Sequence, residues 1–180
     1  PTFDGLTIQL TDSNGAYRGS RIVDEHDDWH ECIGVGLAAA ADLQQAGYHG
    51  PLGIDAMKYR SPDGTIRHRP LQDINARFTM GRIALGWRRF VKAGQFASWL
   101  HVRWTDDTAR AQPEFEFPER QICGSADWVK RMRQSLSQEI QLIVTSPSQI
   151  GGLTVRLGTL LVVAPTRQQL IDAEEKLLSH

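Results

Sequence analysis

The chain has 180 residues, 41% of them hydrophobic, enough to bury a core in one domain or two small subdomains, and one compact unit is the simplest reading. Lys and Arg total 20 against 21 Asp and Glu, and this balance argues against nucleic acid or an anionic membrane as partner. Two cysteines, Cys32 and Cys123, exclude a disulfide framework, and no apolar run approaches the roughly 20 residues of a membrane helix, so a cytoplasmic protein with reduced thiols is expected.

The first residue is Pro1 and not Met, which suggests that the numbering begins inside a longer gene product. Leu6 to Leu10 alternates apolar and polar residues as a half-buried strand does, Asp12-Ser13-Asn14-Gly15 is a turn, and Tyr17 to Val23 returns as a second strand. Acidic residues between Asp24 and Asp28 precede a helix expected over 29–46, with Ile33, Leu37, Ala40 and Ala41 along one side and Gly47 as its stop. His26, His30 and Cys32 do not make a zinc site in this reading, because His26 falls before the helix.

Two extended segments follow, Gly53 to Tyr59 and His68 to Phe78, joined by a turn at Ser61-Pro62-Asp63-Gly64. In the second segment Asp73, Asn75 and Arg77 alternate, which puts three side chains on one strand face. Folding the hairpin about its turn brings Asp55 opposite that trio. Two carboxylates and an amide oxygen form a hard-oxygen ligand set suited to Mg²⁺ or Mn²⁺. Arg60, Arg67, His68 and Arg69 flank the turn as the most basic cluster, either a solvated tip or an attraction for phosphate or an anionic substrate.

The order Gly47-x-x-Gly50-x-x-Gly53-Ile54-Asp55, a turn, then Asp73-x-Asn75-x-Arg77 followed by Thr79 and Gly81 resembles the metal-binding end of the ATP-grasp ligases. The resemblance implies that Asp55, Asp73 and Asn75 hold magnesium ions that bridge the β- and γ-phosphates of ATP, with Arg77 beside the reacting phosphate. It departs from the family at Asp73, where Glu is usual and the side chain is one methylene longer. The implied activity is ATP-dependent ligation of a small carboxylate to an amine or thiol through an acyl phosphate. The resemblance covers roughly the second half of the family's catalytic unit. An N-terminal half of the same parent protein is therefore expected to grip the adenine, and the isolated chain to be inactive.

From Gly81 to Lys92 the residues Ile83, Trp87, Phe90 and Val91 recur at helical spacing, and a core stripe is expected. Amides at the start of that helix, around Thr79 and Gly81, would face the nucleotide phosphates. Phe96 to Trp104 reads as a strand, 105–118 as a loop, and Ser125 as the start of a helix with Trp128, Met132 and Leu136 on one face. Ile140 to Thr145 is a strand, 147–152 a loop, Leu157 to Ala164 a strongly apolar strand, and Thr166 with Gln169 a capping box for the last helix.

The expected class is α+β, a mixed and mainly antiparallel sheet with helices packed on it, in the manner of the C-terminal ATP-grasp subdomain. The alternative is a non-catalytic scaffold or interaction domain that keeps this subdomain. A nucleic-acid module using the Arg60 to Arg69 cluster is a third reading, disfavoured by the near-neutral charge.

Overall fold

The computed structural model describes residues 1–24, 27–104, 125–147, 149–151, 153–155 and 157–179. His26, Cys123 and the loop expected over 105–118 lie outside the described residues. The fold is α+β, with four α-helices among the described residues and a five-stranded sheet in the order β1-β2-β5-β9-β6. Its strands are β1 (Leu6–Thr11), β2 (Tyr17–Val23), β5 (Phe96–Arg103), β6 (Gln141–Val144) and β9 (Leu157–Ala164). The β2–β5, β5–β9 and β6–β9 pairings are all antiparallel. Among the described residues no helix is long and apolar enough to cross a membrane.

The chain divides into two compact units, 1–8 with 23–86, and 9–22 with 87–180. The second holds the larger core. Strand β9 reads LGTLLVVA, and Leu160 to Ala164 are all buried, so it packs on both faces as a central strand must. On β5, Ser98, Leu100 and Val102 are buried as the alternation predicts, but Ala97 and Trp99 on the opposite side are buried too. The strand itself is as expected, and the cover on its second face is new, because alternation cannot report what lies over that face.

Helices α3 (Ser125–Ser135) and α4 (Arg167–Leu178) contribute Trp128, Val129, Leu170, Ala173 and Leu177 to this core, with Met132 and Leu136 packed against it. Thr166 caps α4 by accepting from the Gln169 backbone N–H at 3.2 Å, as the capping box requires. On the same helix Glu174 is buried, hydrogen-bonded by Ser98 and ion-paired with Arg21 on β2. That contact fixes α4 to two strands at once. The Glu174 partner in turn raises the Arg21 pKa.

Residues 147–152, expected as loop, include β7 (Gln149–Ile150), which pairs with β8 (Leu153–Thr154) in a separate two-stranded ladder. His101 on β5 lies edge-on to Tyr17 and Trp99, with ring centroids 5.1 and 4.8 Å away, and burial lowers its pKa.

The first unit is the hairpin of β3 (Gly53–Arg60) and β4 (Ile66–Asn75), with α1 (His30–Gln45) packed on β4. Helix α1 ends as expected, at Gly47 with φ of 94°. Its apolar side is only half-buried, however, and the residue it buries is Cys32. The helix expected over 81–92 is instead α2 (Met80–Gly86), followed by a 3-10 turn at Trp87–Phe90. Ile83 and Phe90 are exposed and Ala84 is the buried residue, so the expected core stripe does not form. Gly86 favours the break, since glycine costs about 1 kcal/mol inside a helix.

Two stability experiments follow from the second unit. A Cβ on Gly158 would come within 1.9 Å of the Trp104 indole, so Gly158→Ala should cost about 3 kcal/mol in urea unfolding. For His101 the unfolded state holds its proton more tightly than the folded one, so stability is full above about pH 6.5 and falls as pH drops through the lowered native value. His101→Phe should flatten that slope in thermal melts taken from pH 7.5 to 5.

Candidate metal centre

The site is built on a turn. Ser61 and Gly64 close it, with the Gly64 N–H donating to the Ser61 carbonyl at 2.9 Å and Gly64 at φ of 85°. Asp63 accepts from the backbone N–H and the hydroxyl of Thr65, at 2.9 and 2.6 Å, and those bonds hold its carboxyl below the usual range. From this turn the register runs Arg60 against Ile66, Tyr59 against Arg67, Lys58 against His68 and Met57 against Arg69. The register then shifts, two positions on β3 taking up four on β4, and resumes with Asp55 against Asp73, Ile54 against Ile74 and Gly53 against Asn75.

Asp55 is therefore the direct cross-strand neighbour of Asp73. The Asn75 Nδ2 donates to Asp73 Oδ2 at 3.1 Å and to Asp55 Oδ2 at 3.4 Å, and Arg77 Nη2 donates to Asn75 Oδ1 at 3.0 Å. All four residues expected from the sequence come together. Arg77 reaches the group from outside the ladder, because β4 ends at Asn75 and not at Phe78 as expected. The Arg77 N–H bonds the Asn75 carbonyl at 2.8 Å, a tight turn that sends its side chain back toward the strand.

Two like charges opposite each other on a sheet repel. Partial burial and then the Asp73 charge push the Asp55 carboxyl above its ordinary value, while Arg77 and the Asn75 hydrogen bond pull it down. Arg77 and Asn75 offset only part of the cost. A dication would remove the rest, and three hard oxygen donors fit Mg²⁺, which keeps several waters and takes further ligands from phosphates. No group of three or more His, Cys, Asp and Glu occurs among the described residues, so a zinc-type site is not offered here. The third donor of such a set would be the Asn75 amide oxygen, which here accepts from Arg77.

Thr79 and Gly81 lie just beyond the cluster, where local packing already occupies them. The Thr79 hydroxyl accepts from the Arg82 N–H at 3.3 Å, and its methyl lies 2.4 Å from where a Cβ on Gly53 would stand. A Cβ on Gly81 would meet the Thr7 hydroxyl at 2.6 Å. With only seven residues, α2 also supplies less dipole at these amides than the longer helix expected.

No family model matches the chain, and no curated protein matches it. The residues themselves carry the functional reading. Sequence reasoning passed over Met57 and Tyr59, which follow Asp55 at strand spacing and could have been placed on its face by counting in twos.

Asp55→Asn removes one of two opposed charges and should stabilise the hairpin by about 0.5 kcal/mol. The native carboxyl, with its raised pKa, is least costly at low pH, and its penalty grows as pH rises through that value. The gain should thus be present at pH 7 and absent near pH 3, read from hydrogen exchange at the hairpin amides.

Proposed function

We propose that this chain supplies the Mg²⁺- or Mn²⁺-binding end of the nucleotide site in an ATP-grasp-type ligase that joins a small carboxylate to an amine or thiol. The observation that supports it is the cross-strand pair Asp55 and Asp73, closed by Asn75 and flanked by Arg77. A bound dication would neutralise the β- and γ-phosphate oxygens of ATP. In the proposed reaction a substrate carboxylate oxygen attacks the γ-phosphorus and ADP leaves. The acceptor nitrogen or sulfur then attacks the acyl carbon, and phosphate departs.

Positioning and charge compensation carry most of such a transfer. Asp55 and Asp73 present their oxygens on one face. Asn75 turns its Nδ2 to both carboxylates and its Oδ1 to Arg77, so ligation through Oδ1 requires the amide to rotate about its last bond. That rotation presents Nδ2 to the guanidinium and frees Arg77 to steady the γ-phosphoryl. The shorter Asp73, in place of the usual Glu, reaches less far and suits one tightly held ion better than two. Consumption of ATP agrees with the cytoplasmic setting expected from the sequence.

Titration with Mg²⁺ should move the amide resonances of 53–55 and 73–75, and Asp55→Asn or Asp73→Asn should each weaken Mn²⁺ binding, measured by its electron paramagnetic resonance, about tenfold or more. Shifts scattered elsewhere would remove the metal assignment. In the full-length parent protein, metal binding without ADP formation from ATP across a panel of acids and amines would favour the scaffold reading.

A further inference from the structure

The basic cluster seen in the sequence is not one cluster in the structure. Cross-strand partners share a sheet face, so the pairs Asp55 with Asp73, Met57 with Arg69 and Tyr59 with Arg67 line one side of the hairpin. The other side holds Ile54, Lys58 and His68. There Lys58 pairs with Asp28 at 2.8 Å, the His68 ring meets Trp29 at 5.2 Å, and Ile54 lies under Gly36 of α1. The helix and the 3-10 turn at Asp27–Trp29 before it take one face and leave the acid-bearing face open, with Met57 and Tyr59 each 39% exposed on it.

On that open face the two arginines differ. Arg67 is ion-paired with Asp63 at 2.9 Å. Arg69 donates from Nη1 to the neutral Gln72 side chain at 3.0 Å and joins no ion pair among the described residues. Gln72 precedes Asp73 directly, so this bond ties Arg69 to the acid end of the strand. Arg69 thus carries a net positive charge two β3 positions from Asp55, about 7 Å along the strand, with the Met57 side chain as its cross-strand neighbour.

We infer that Arg69 is a specificity residue that holds a second anionic group of the substrate, making the substrate a small dicarboxylic acid. The inference rests on the ligase reading for the role of the first carboxylate, which reacts beside Asp55 and Asp73. The planar guanidinium matches a carboxylate through two parallel N–H bonds. Met57, opposite Arg69, lies beside the spacer between the two acid groups, where a short methylene chain gains by leaving water.

Glutarate, butyrate and inorganic phosphate, each with Mg²⁺, provide the test. Glutarate should shift the amides of Met57 and Arg69, butyrate should not shift Arg69, and phosphate should bind more weakly than glutarate. Arg69→Ala should weaken glutarate about tenfold, Arg69→Lys should restore part of that loss, and Arg60→Ala, altered on a strand position away from the pair, should leave it unchanged. Equal binding of butyrate, preference for phosphate, indifference to Arg69→Ala, or no glutarate response would each overturn the inference. Loss of the Mg²⁺ response at Asp55 and Asp73 with glutarate still sensitive to Arg69 would instead sink the ligase reading and leave the anion position standing.

Discussion

The register of the β3–β4 hairpin is the constraint on which the site depends. Pairing set at the Ser61 to Gly64 turn must survive a shift near Asp55 before it delivers that residue opposite Asp73. A slip of one residue would send the acids to opposite faces. What prevents it is that both faces are specified: from one side α1 packs on Ile54 and Trp29, just before that helix, meets His68, while Asn75 bridges the two carboxylates on the other. Gly53 adds a steric stop, since only a residue without a side chain lets Thr79 approach the end of the ladder.

The acid pair is an electrostatic fault that the fold tolerates. Asp55 is held above its ordinary pKa by burial and by Asp73, and the nearest compensation is one guanidinium acting through an amide. Opposed like charges on a sheet face destabilise the pairing, and only part of that cost is met by the groups beside them. The arrangement of Glu174, Ser98 and Arg21 within the second unit is the contrast. There the buried carboxylate has a direct cation and a hydroxyl donor, and it serves as a structural tie.

Features set by near neighbours in sequence were legible before the structure. The Pro-Asp-Gly turn, the glycine stop of α1, the Thr166 cap and the apolar run of β9 all depend on a few adjacent residues, and the structure has each of them. The convergence of Asp55, Asp73 and Asn75 was also legible, because a hairpin makes distant residues neighbours by simple counting. What failed or went unread depended on the rest of the chain. Burial of Trp99 and Ala97 reflects cover on a second sheet face, the break after Gly86 falls where one compact unit gives way to the next, and the register shift near Asp55 has no local signature beyond Pro70. The division of the basic cluster by face likewise needed the position of α1.

Strand β9 lies between β5 and β6, and both of its neighbours precede it in the chain. During synthesis β5 leaves the ribosome long before the strand that covers its flank, and β6 emerges with no ladder to join. Arg21 waits for Glu174 across most of the polypeptide. Consolidation of this unit is therefore a late, cooperative closure that the last segment performs, and a nascent chain lacking it presents an unpaired apolar edge to chaperones and to its own copies.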